Sequence, residues 1–159
     1  MATTSAGLLF YRTTTDGLEV LLGHMGGPFW TRKDAGAWTV LKGELDPDED
    51  PHAAAVREAG EELGLPLPTP PSPDVDLGEV RQKSGKRVLA WAREWPLPGP
   101  DLDQVRSNTV EIEWPPRSGR RLEVPEIDRV AWFAPDDARR LVVRAQAALV
   151  DRLETAVAG

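Results

Sequence analysis

The sequence contains no cysteine, which excludes disulfide bonds and metal sites built from thiolates. Histidine is almost as scarce, since the only two, His24 and His52, lie far apart and form no zinc-type spacing. A metal ion bound by this chain must therefore be held by oxygen ligands.

Long apolar runs and an excess of positive charge are missing as well. No stretch approaches the roughly 18 apolar residues of a membrane span. The N-terminal segment also lacks the basic and apolar regions of a secretory signal. The formal net charge of -7 disfavours broad electrostatic binding to nucleic acid. We expect a cytoplasmic protein that binds neither membranes nor nucleic acid, although metal ions or local basic clusters could still neutralise a small anionic substrate.

The length of 159 residues suits one domain with a substantial core and is too short for two ordinary domains. Hydrophobic residues make up 40% of the chain and charged residues 28%, as in an ordinary soluble globular protein. Residues 1–159 are therefore expected to form a single domain.

Apolar runs of strand length, separated by turn-rich linkers, predict several β-strands. Residues 6–12 and 18–24 are expected to pair as a β-hairpin around the linker 13–17. The remaining predicted strands are 38–41, 75–81, 86–95, 127–133 and a short one within 107–123. The rest of 107–123 is expected to be a loop rich in proline, glycine and arginine.

A final helix is predicted to begin at Pro135 and to continue near the end of the chain. The apolar residues that recur there at helical spacing are Ala138, Leu141, Val142, Ala145, Leu149 and Leu153. The order of strands and helices predicts an α+β fold, an α/β/α sandwich in which helices pack against a mixed β-sheet.

A central helix has clear start and stop signals. Asp50 is suited to the N-cap, and Pro51 to the first helical position, where a missing N–H costs nothing. Gly64, followed by Pro66, is suited to ending the helix. The segment 51–63 is therefore predicted to be helical.

Three glutamates share one face of this helix. At about 100° per residue, Glu58, Glu61 and Glu62 fall within one narrow arc. The residues expected to face the core instead are Val56, Ala59 and Leu63. Like charges at these spacings repel by a few tenths of a kcal/mol per pair. An acidic helix face is most often a solvated surface, but hard divalent cations, which prefer oxygen ligands, would relieve this repulsion.

The spacing around the glutamates distinguishes these two readings. The pattern G-x5-E-x7-R-E-U-x-E-E-x-G-U, in which U is a bulky aliphatic residue, is matched by Gly43, Glu49, Arg57, Glu58, Glu61, Glu62 and Gly64. A chance match has a probability on the order of 10⁻⁸ per starting position. The chain resembles the Nudix hydrolase family, in particular the bacterial pyrophosphohydrolases of nucleoside triphosphates and dinucleoside polyphosphates.

Two positions in the helix depart from what the pattern and helix propensity favour. Ala59 stands where the family has a bulky aliphatic residue, which suggests altered packing and leaves the glutamates unchanged. Gly60, in mid-helix, costs about 1 kcal/mol relative to alanine. Close packing and a tolerated local weakness are the two explanations for this glycine.

The resemblance implies a metal site and a cofactor. Glu58, Glu61 and Glu62 would hold Mg²⁺, with Mn²⁺ as a substitute, and the Gly43 carbonyl would be a further ligand. Such ions screen the charge of a pyrophosphate and lower the pKa of bound water.

The same resemblance implies supporting roles for two further box residues. Glu49 would support the junction between the loop and the helix, and Arg57 would orient the carboxylates through ion pairs. An ordinary surface pair with Glu61, four residues away, is the competing role for Arg57.

Glu126 is the first candidate for a general base. It lies six residues before Trp132, in a segment that resembles the E-x5-W motif of Nudix enzymes acting on nucleotide polyphosphates. The alternative is a charged residue that ends a loop. Glu111 and Glu113 are further candidates.

Candidate phosphate contacts come from basic residues near the box and in three loop clusters. Lys42 lies in a segment resembling W-[ST]-x-P-K-G, with Leu41 in place of proline, and a solvated lysine is the alternative. The clusters are Arg32 with Lys33; Lys83, Lys86 and Arg87; and Arg117, Arg120 and Arg121. Each cluster alone is compatible with a surface role, but together they make a phosphate contact the expectation for at least one.

Aromatic residues could bind a nucleobase. Six tryptophans are many for this length, and Trp30, next to Phe29 in a glycine-rich loop, is a candidate for stacking on a base. A buried loop anchor is the alternative reading of both aromatic residues.

These observations predict a Mg²⁺-dependent pyrophosphohydrolase that cleaves a nucleoside diphosphate linked to another moiety. Dinucleoside polyphosphates and nucleoside triphosphates are the favoured substrates. The alternatives are a non-catalytic Nudix-like domain that senses a nucleotide, and an interaction protein with a purely structural acidic helix. The expected partner is a small nucleotide, and the resemblance also implies a homodimer.

Overall fold

The computed structural model describes residues 3–158, so that residues 1, 2 and 159 of the predicted domain lie outside the described part. Its strands are β1 (Thr4–Thr14), β2 (Gly17–Met25), β3 (Trp38–Thr39), β4 (Leu41–Glu44), β5 (Val75–Arg81), β6 (Arg87–Glu94), β7 (Thr109–Glu113), β8 (Arg121–Pro125) and β9 (Ile127–Phe133). The α-helices are α1 (Pro51–Leu63), α2 (Pro135–Leu141) and α3 (Ala147–Ala158), with short 3-10 turns at Leu102–Gln104 and Arg144–Gln146.

A mixed sheet of seven strands forms the central layer. Its main order is β3-β2-β1-β6-β5, with β4 paired to β1 and β9 paired to β2. β1 and β6 are parallel, whereas the other pairs are antiparallel. The predicted hairpin of β1 and β2 is confirmed, with paired residues running from Phe10 and Leu21 to Thr14 and Gly17.

Helices cover both faces of this sheet, which confirms the predicted sandwich. Leu8 and Phe10 of β1 pack in the same core as α1. Leu9 and Tyr11, which point to the opposite face, pack in the core that contains α2 and α3. Because both faces are covered, β1 is buried almost continuously instead of alternating between apolar and polar residues. No helix among the described residues is long and apolar enough to cross a membrane.

The sheet opens between β1 and β2. Beyond Phe10 and Leu21 toward one end, β1 pairs with β4 and β2 pairs with β3. The segment predicted as one strand, 38–41, therefore becomes two, because the chain changes its pairing partner at Val40. This opening places the start of β4 beside α1.

Helix α1 has the predicted limits. The Asp50 side chain accepts a hydrogen bond from the Ala53 N–H at 2.9 Å, and Pro51 occupies the first turn. The helix ends at Gly64, whose φ of 64° is the left-handed conformation that glycine adopts without strain. A side chain there would also overlap the Arg106 carbonyl.

The prediction of one continuous C-terminal helix is wrong. The chain breaks after Leu141, and the Val143 N–H donates to the Trp38 carbonyl at 2.9 Å. Because that N–H pairs with a strand, it cannot serve a helix. The apolar spacing does not reveal the break, because Val142 is buried although its backbone is extended.

A second strand in 107–123 was missed. The segment contains β7, and β8 begins at Arg121 and ends beyond the predicted region at Pro125. The two strands form a separate sheet in which Val110 pairs with Val124 and Ile112 pairs with Leu122. Among the described residues, neither strand of this hairpin pairs with the main sheet.

A buried ion pair connects the loop before β5 to the core. The Asp74 carboxylate, whose side chain is 2% exposed, accepts two hydrogen bonds from the Arg93 guanidinium at 2.8 and 2.7 Å. His52, in the first turn of α1, also contacts Asp74 at 2.7 Å and stacks on Trp91. Burial raises the pKa of Asp74, but the Arg93 and His52 contacts outweigh it, so the net pKa lies below its ordinary 3.8.

Replacing Asp74 by asparagine is expected to lower the free energy of unfolding at pH 7 by roughly 3 kcal/mol, because Arg93 is left buried without its counter-charge. A carboxylate with a lowered folded-state pKa stabilises the fold above its unfolded pKa and loses this effect as the pH falls. The difference between wild type and D74N should therefore shrink from pH 7 to pH 3 in urea denaturation. E79Q, which removes a similar but exposed pair with Arg87, is the matched control and should have a much smaller effect. An equal loss in both variants would contradict the prediction.

Candidate active site

A cavity of about 600 Å³ lies where the sheet opens, between β4, α1 and the β7–β8 hairpin. The predicted site residues that line it are Lys42, Gly43, Glu58, Glu61, Glu62, Lys86, Trp30 and Glu126. Residues from separate parts of the sequence therefore share one concave surface, as in small-molecule sites.

Glu58 and Glu62 form the buried part of the acidic wall. They are 8% and 3% exposed, whereas the Glu61 side chain is 46% exposed. The Glu58 carboxylate lies directly against Gly43, and a Cβ atom built on that glycine would overlap it. The absence of a side chain at Gly43 is thus what allows Glu58 to occupy this position.

Glu62 is held at an energetic cost. Its Oε2 atom is buried and has no hydrogen-bond partner among residues 3–158. Burial raises the pKa of Glu62 well above its ordinary value, and the facing Glu126 carboxylate adds to this effect while Lys42 opposes it. Burial also raises the pKa of Glu58. Burial and the neighbouring carboxylates therefore outweigh the positive charge that Lys42 and Arg57 supply to this wall.

Glu126 reaches this wall because its backbone is fixed on both sides. Its N–H donates to the Asn108 carbonyl at 3.0 Å, and its carbonyl accepts from the Gly26 N–H at 2.9 Å. A side chain at Gly26 would overlap the Pro125 carbonyl, so glycine is required for this approach. The other glutamates considered, Glu111 and Glu113, do not line the cavity.

Arg57 links the acidic wall to the loop before the helix. Its guanidinium makes two hydrogen bonds of 2.8 Å to Glu49 and lies 2.8 Å from Glu58 and 3.2 Å from Glu61. The hydrogen bond from Arg57 lowers the pKa of Glu49 to about 2. Arg57 thus contacts two of the predicted metal ligands as well as Glu49, the predicted support of the loop–helix junction.

The donor set fits a hard divalent cation, although no three acidic or histidine side chains within residues 3–158 form a ready metal cage. Two of the predicted ligands are held by Arg57 instead. Carboxylate oxygens are the hard ligands that Mg²⁺ prefers. One buried oxygen of Glu62 has no partner among the described residues, and Gly43 leaves room for the Glu58 carboxylate.

Two lysines supply the positive charge of the cavity. Lys42 on β4 and Lys86 in the β5–β6 turn both line it. Burial lowers the pKa of Lys42 to about 8, and the neighbouring Lys86 ammonium contributes to this decrease. Two adjacent cations are suited to binding a polyanion.

Part of the cavity lining is apolar. It consists of Met25, Trp30, Val110, Ile112 and Val124. Three of these belong to the β7–β8 hairpin, which turns its apolar face toward the cavity. No motif in the sequence marks the hairpin residues, so their contribution was missed; alternation of apolar residues in 110–112 and 122–124 is the only signal.

Some predicted substrate contacts lie elsewhere. Arg32 and Lys33 do not line the cavity, and the Lys33 ammonium lies 4.0 Å from the centre of the Phe29 ring. Arg117 lies in the turn between β7 and β8, where its backbone N–H donates to Glu113. Phe29, unlike Trp30, is 52% exposed and outside the cavity wall.

Comparisons with known proteins give a consistent result. A family model described as NUDIX domain matches residues 1–153. The fold is similar to that of a C. elegans Ap4A hydrolase in a binary complex, with a TM-score of 0.66, 23% identity and 99% of both chains covered. A MutT protein from Methanosarcina mazei Go1 has a TM-score of 0.62, 19% identity and coverage of 99% of this chain and 96% of that one.

A third structure of the same fold contains a ligand. The NUDIX domain of Shewanella oneidensis NrtR, complexed with ADP ribose, has a TM-score of 0.61 and 13% identity, with 99% of this chain and 89% of that one covered. No curated protein matched the chain. At these identities the structural neighbours establish the fold, and they confirm the predicted arrangement of a mixed sheet between helices.

Replacing Gly43 by alanine is expected to weaken Mn²⁺ binding at least tenfold, about 1.4 kcal/mol, because the new Cβ displaces the Glu58 carboxylate. Isothermal titration calorimetry measures this change. Gly60 is the matched control, because a Cβ there meets nothing within 4 Å, which excludes close packing as the reason for this glycine. G60A should keep Mn²⁺ affinity and raise the melting temperature by roughly 2–4 °C. Unchanged affinity in folded G43A would show that Glu58 is not a ligand.

Proposed function

The chain belongs to the NUDIX family and is a Nudix hydrolase, an enzyme that acts on pyrophosphate bonds. On that premise we propose that it cleaves a nucleoside diphosphate linked to another moiety. Dinucleoside polyphosphates and nucleoside triphosphates are the favoured substrates. The observation that carries this proposal is one cavity lined both by charged residues and by a group of apolar residues, which we call its charged end and its apolar end. Such a cavity matches a molecule with a phosphate chain at one end and an aromatic base at the other.

The charged end would bind the phosphate chain. Lys42 and Lys86 would contact phosphate oxygens, and Glu58, Glu61 and Glu62 with the Gly43 carbonyl would hold Mg²⁺. When bound, Mg²⁺ would screen the pyrophosphate charge and make nearby water more acidic. Arg57 would keep Glu58 and Glu61 in place through its ion pairs.

Glu126 is the proposed general base. Its carboxylate faces Glu62 in the cavity and is carried by backbone that hydrogen bonds fix on both sides. It would accept a proton from the water whose oxygen attacks one phosphorus of the diphosphate. The bond from that phosphorus to the bridging oxygen would break, and this oxygen would leave with the other phosphate. A positioned base of this kind contributes about 10²–10⁴-fold to turnover.

The apolar end would receive the base. Trp30 offers an aromatic face, and Ile112 and Val124 form the wall beside it. Two similar structures support a nucleotide ligand by their names, since one is an Ap4A hydrolase and another was determined with ADP ribose. The single-domain organisation, the cytoplasmic location and the homodimer stay predictions.

Glu62→Gln is expected to abolish Mg²⁺-dependent turnover of a panel of dinucleoside polyphosphates, triphosphates, nucleotide sugars and capped RNA, with both products identified. In wild type, Mg²⁺ should raise the melting temperature, because a ligand of the folded state stabilises it by about 2.7 kcal/mol at 100 times its Kd. E62Q should lose this rise because a buried carboxylate of the acidic wall is gone. Glu113→Gln, outside the cavity, is the control for both measurements.

The outcomes separate the candidate functions. A Mg²⁺ response with nucleotide binding but no hydrolysis would favour the nucleotide-sensing domain. Absence of any Mg²⁺ response in wild type would favour a structural acidic helix and contradict the proposal.

Trp30→Ala is expected to raise KM about tenfold or more with little change in kcat, because stacking on one base contributes about 1–3 kcal/mol. Leu97→Ala is the control, since the exposed Leu97 lies outside the cavity wall and should leave KM unchanged. Steady-state kinetics on the best substrate of the panel gives both constants. Similar KM values for W30A and wild type would place the base elsewhere.

A further inference from the structure

Gln146 is a completely buried polar residue that no part of the proposed function uses. It belongs to the 3-10 turn between α2 and α3, far in sequence from the box. Its side chain enters the opening of the sheet behind the cavity wall, where it contacts Thr39, Val40 and Gln82. Thr39 and Val40 line the cavity from the other side.

The hydrogen bonds of this amide fix its orientation. Its Oε1 accepts from the Val40 N–H at 2.9 Å, and its Nε2 donates to the Thr39 hydroxyl at 3.0 Å and to Gln82 Oε1 at 3.1 Å. The Thr39 hydroxyl in turn donates to the Val40 carbonyl at 2.9 Å. A flipped amide would place its NH₂ group against the Val40 N–H, so only one orientation satisfies every group.

Each end of the amide supports a segment that carries a cavity lysine. Val40, where the chain changes pairing partner between β3 and β4, lies two residues before Lys42. Gln82 closes the turn that carries Lys86, because its N–H donates to the Lys86 carbonyl at 2.8 Å and its carbonyl accepts from Gly85 at 2.8 Å. One side chain therefore connects the backbone segments of both lysines.

This connection counteracts an electrostatic repulsion, because two neighbouring ammonium groups repel each other. Lys42 and Lys86 line the same cavity. Without a link, the β5–β6 turn could move Lys86 toward solvent and relieve the repulsion at the expense of the anion site.

We propose that Gln146 is a positioning residue that holds Lys42 and Lys86 together as one binding site for the phosphate chain of the substrate. This inference rests on the proposed function for the identity of the phosphate chain. It adds a residue and a mechanism that the box does not contain, and it assigns the C-terminal turn a role in substrate affinity.

Binding of inorganic tripolyphosphate to the metal-free full chain tests the proposal without requiring catalysis. Wild type should bind it, and K42M should bind it much more weakly. Gln146→Met, which keeps the side-chain length and removes every hydrogen bond, should raise the Kd about tenfold. Gln82→Met, which breaks only the link to the turn, should also raise the Kd, and the double variant should show less than the product of the two effects.

A stability control separates positioning from loss of core packing. Leu153→Ala removes a completely buried apolar side chain of α3 and none of the hydrogen bonds of Gln146, so it should lower the melting temperature without changing the Kd. With the substrate found in the panel, Q146M should raise KM about as much as it raises the tripolyphosphate Kd, and kcat should change less. If Q146M does not fold, Q82M carries the test, because Gln82 is only half-buried.

Three results would overturn the proposal. One is a Kd in Q146M and Q82M within about twofold of wild type, as in L153A. The others are absence of tripolyphosphate binding to wild type, and equal binding to K42M. Tripolyphosphate binding that depends on Gln146, in a protein that hydrolyses nothing in the panel, would support this inference while the proposed substrate class fails.

Discussion

Carboxylates repel one another most strongly where water is excluded, and this chain places Glu58, Glu62 and Glu126 along one wall of a cavity. Such an arrangement lowers stability unless positive charge is nearby, and Arg57 and Lys42 supply only part of it. The repulsion that remains favours cation binding, because a cation that enters the cavity neutralises part of the negative charge. Features that lie far apart in the sequence follow from this constraint. Gly43 makes room for the Glu58 carboxylate, and Arg57 holds Glu58 and Glu61 through ion pairs.

The opening of the sheet between β1 and β2 determines where this charge can collect. In a continuous sheet, neighbouring strands would pair all their backbone groups and leave no space between them. Here β3 and β4 divide the opening between them, and the N–H of Val40 at their junction is paired by a side chain instead of a strand. Gln146 thus completes the backbone hydrogen bonding at the point where the fold departs from regularity, and the cavity exists because that departure is tolerated.

Local signals could be predicted from the sequence, and contacts between distant segments could not. Helix α1 has the expected limits because Asp50, Pro51 and Gly64 act on their own neighbours. The C-terminal helix was wrong because Val143 pairs with Trp38, a contact that apolar spacing does not encode. β8 was missed for a similar reason, since its partner β7 lies across a turn rich in proline and glycine. For the site, the box spacing identified Glu58 and Glu62, which line the cavity, whereas the candidate phosphate contacts Arg32 and Arg117 do not line it.

The division of the cavity also bears on selectivity. A site that hydrogen-bonds a substrate group rejects analogues that lack the group by large factors, whereas an apolar pocket distinguishes related ligands only weakly. The apolar end here is formed by Met25, Trp30 and the inner face of the hairpin, which contact a ligand through surface and not through directed hydrogen bonds. The charged end, by contrast, contains fixed cations and carboxylates whose separation depends on the fold. Under the proposed function, the length and charge of the phosphate chain therefore contribute more to selectivity than the identity of the base. The reason is that only the charged end offers interactions that are both strong and directional.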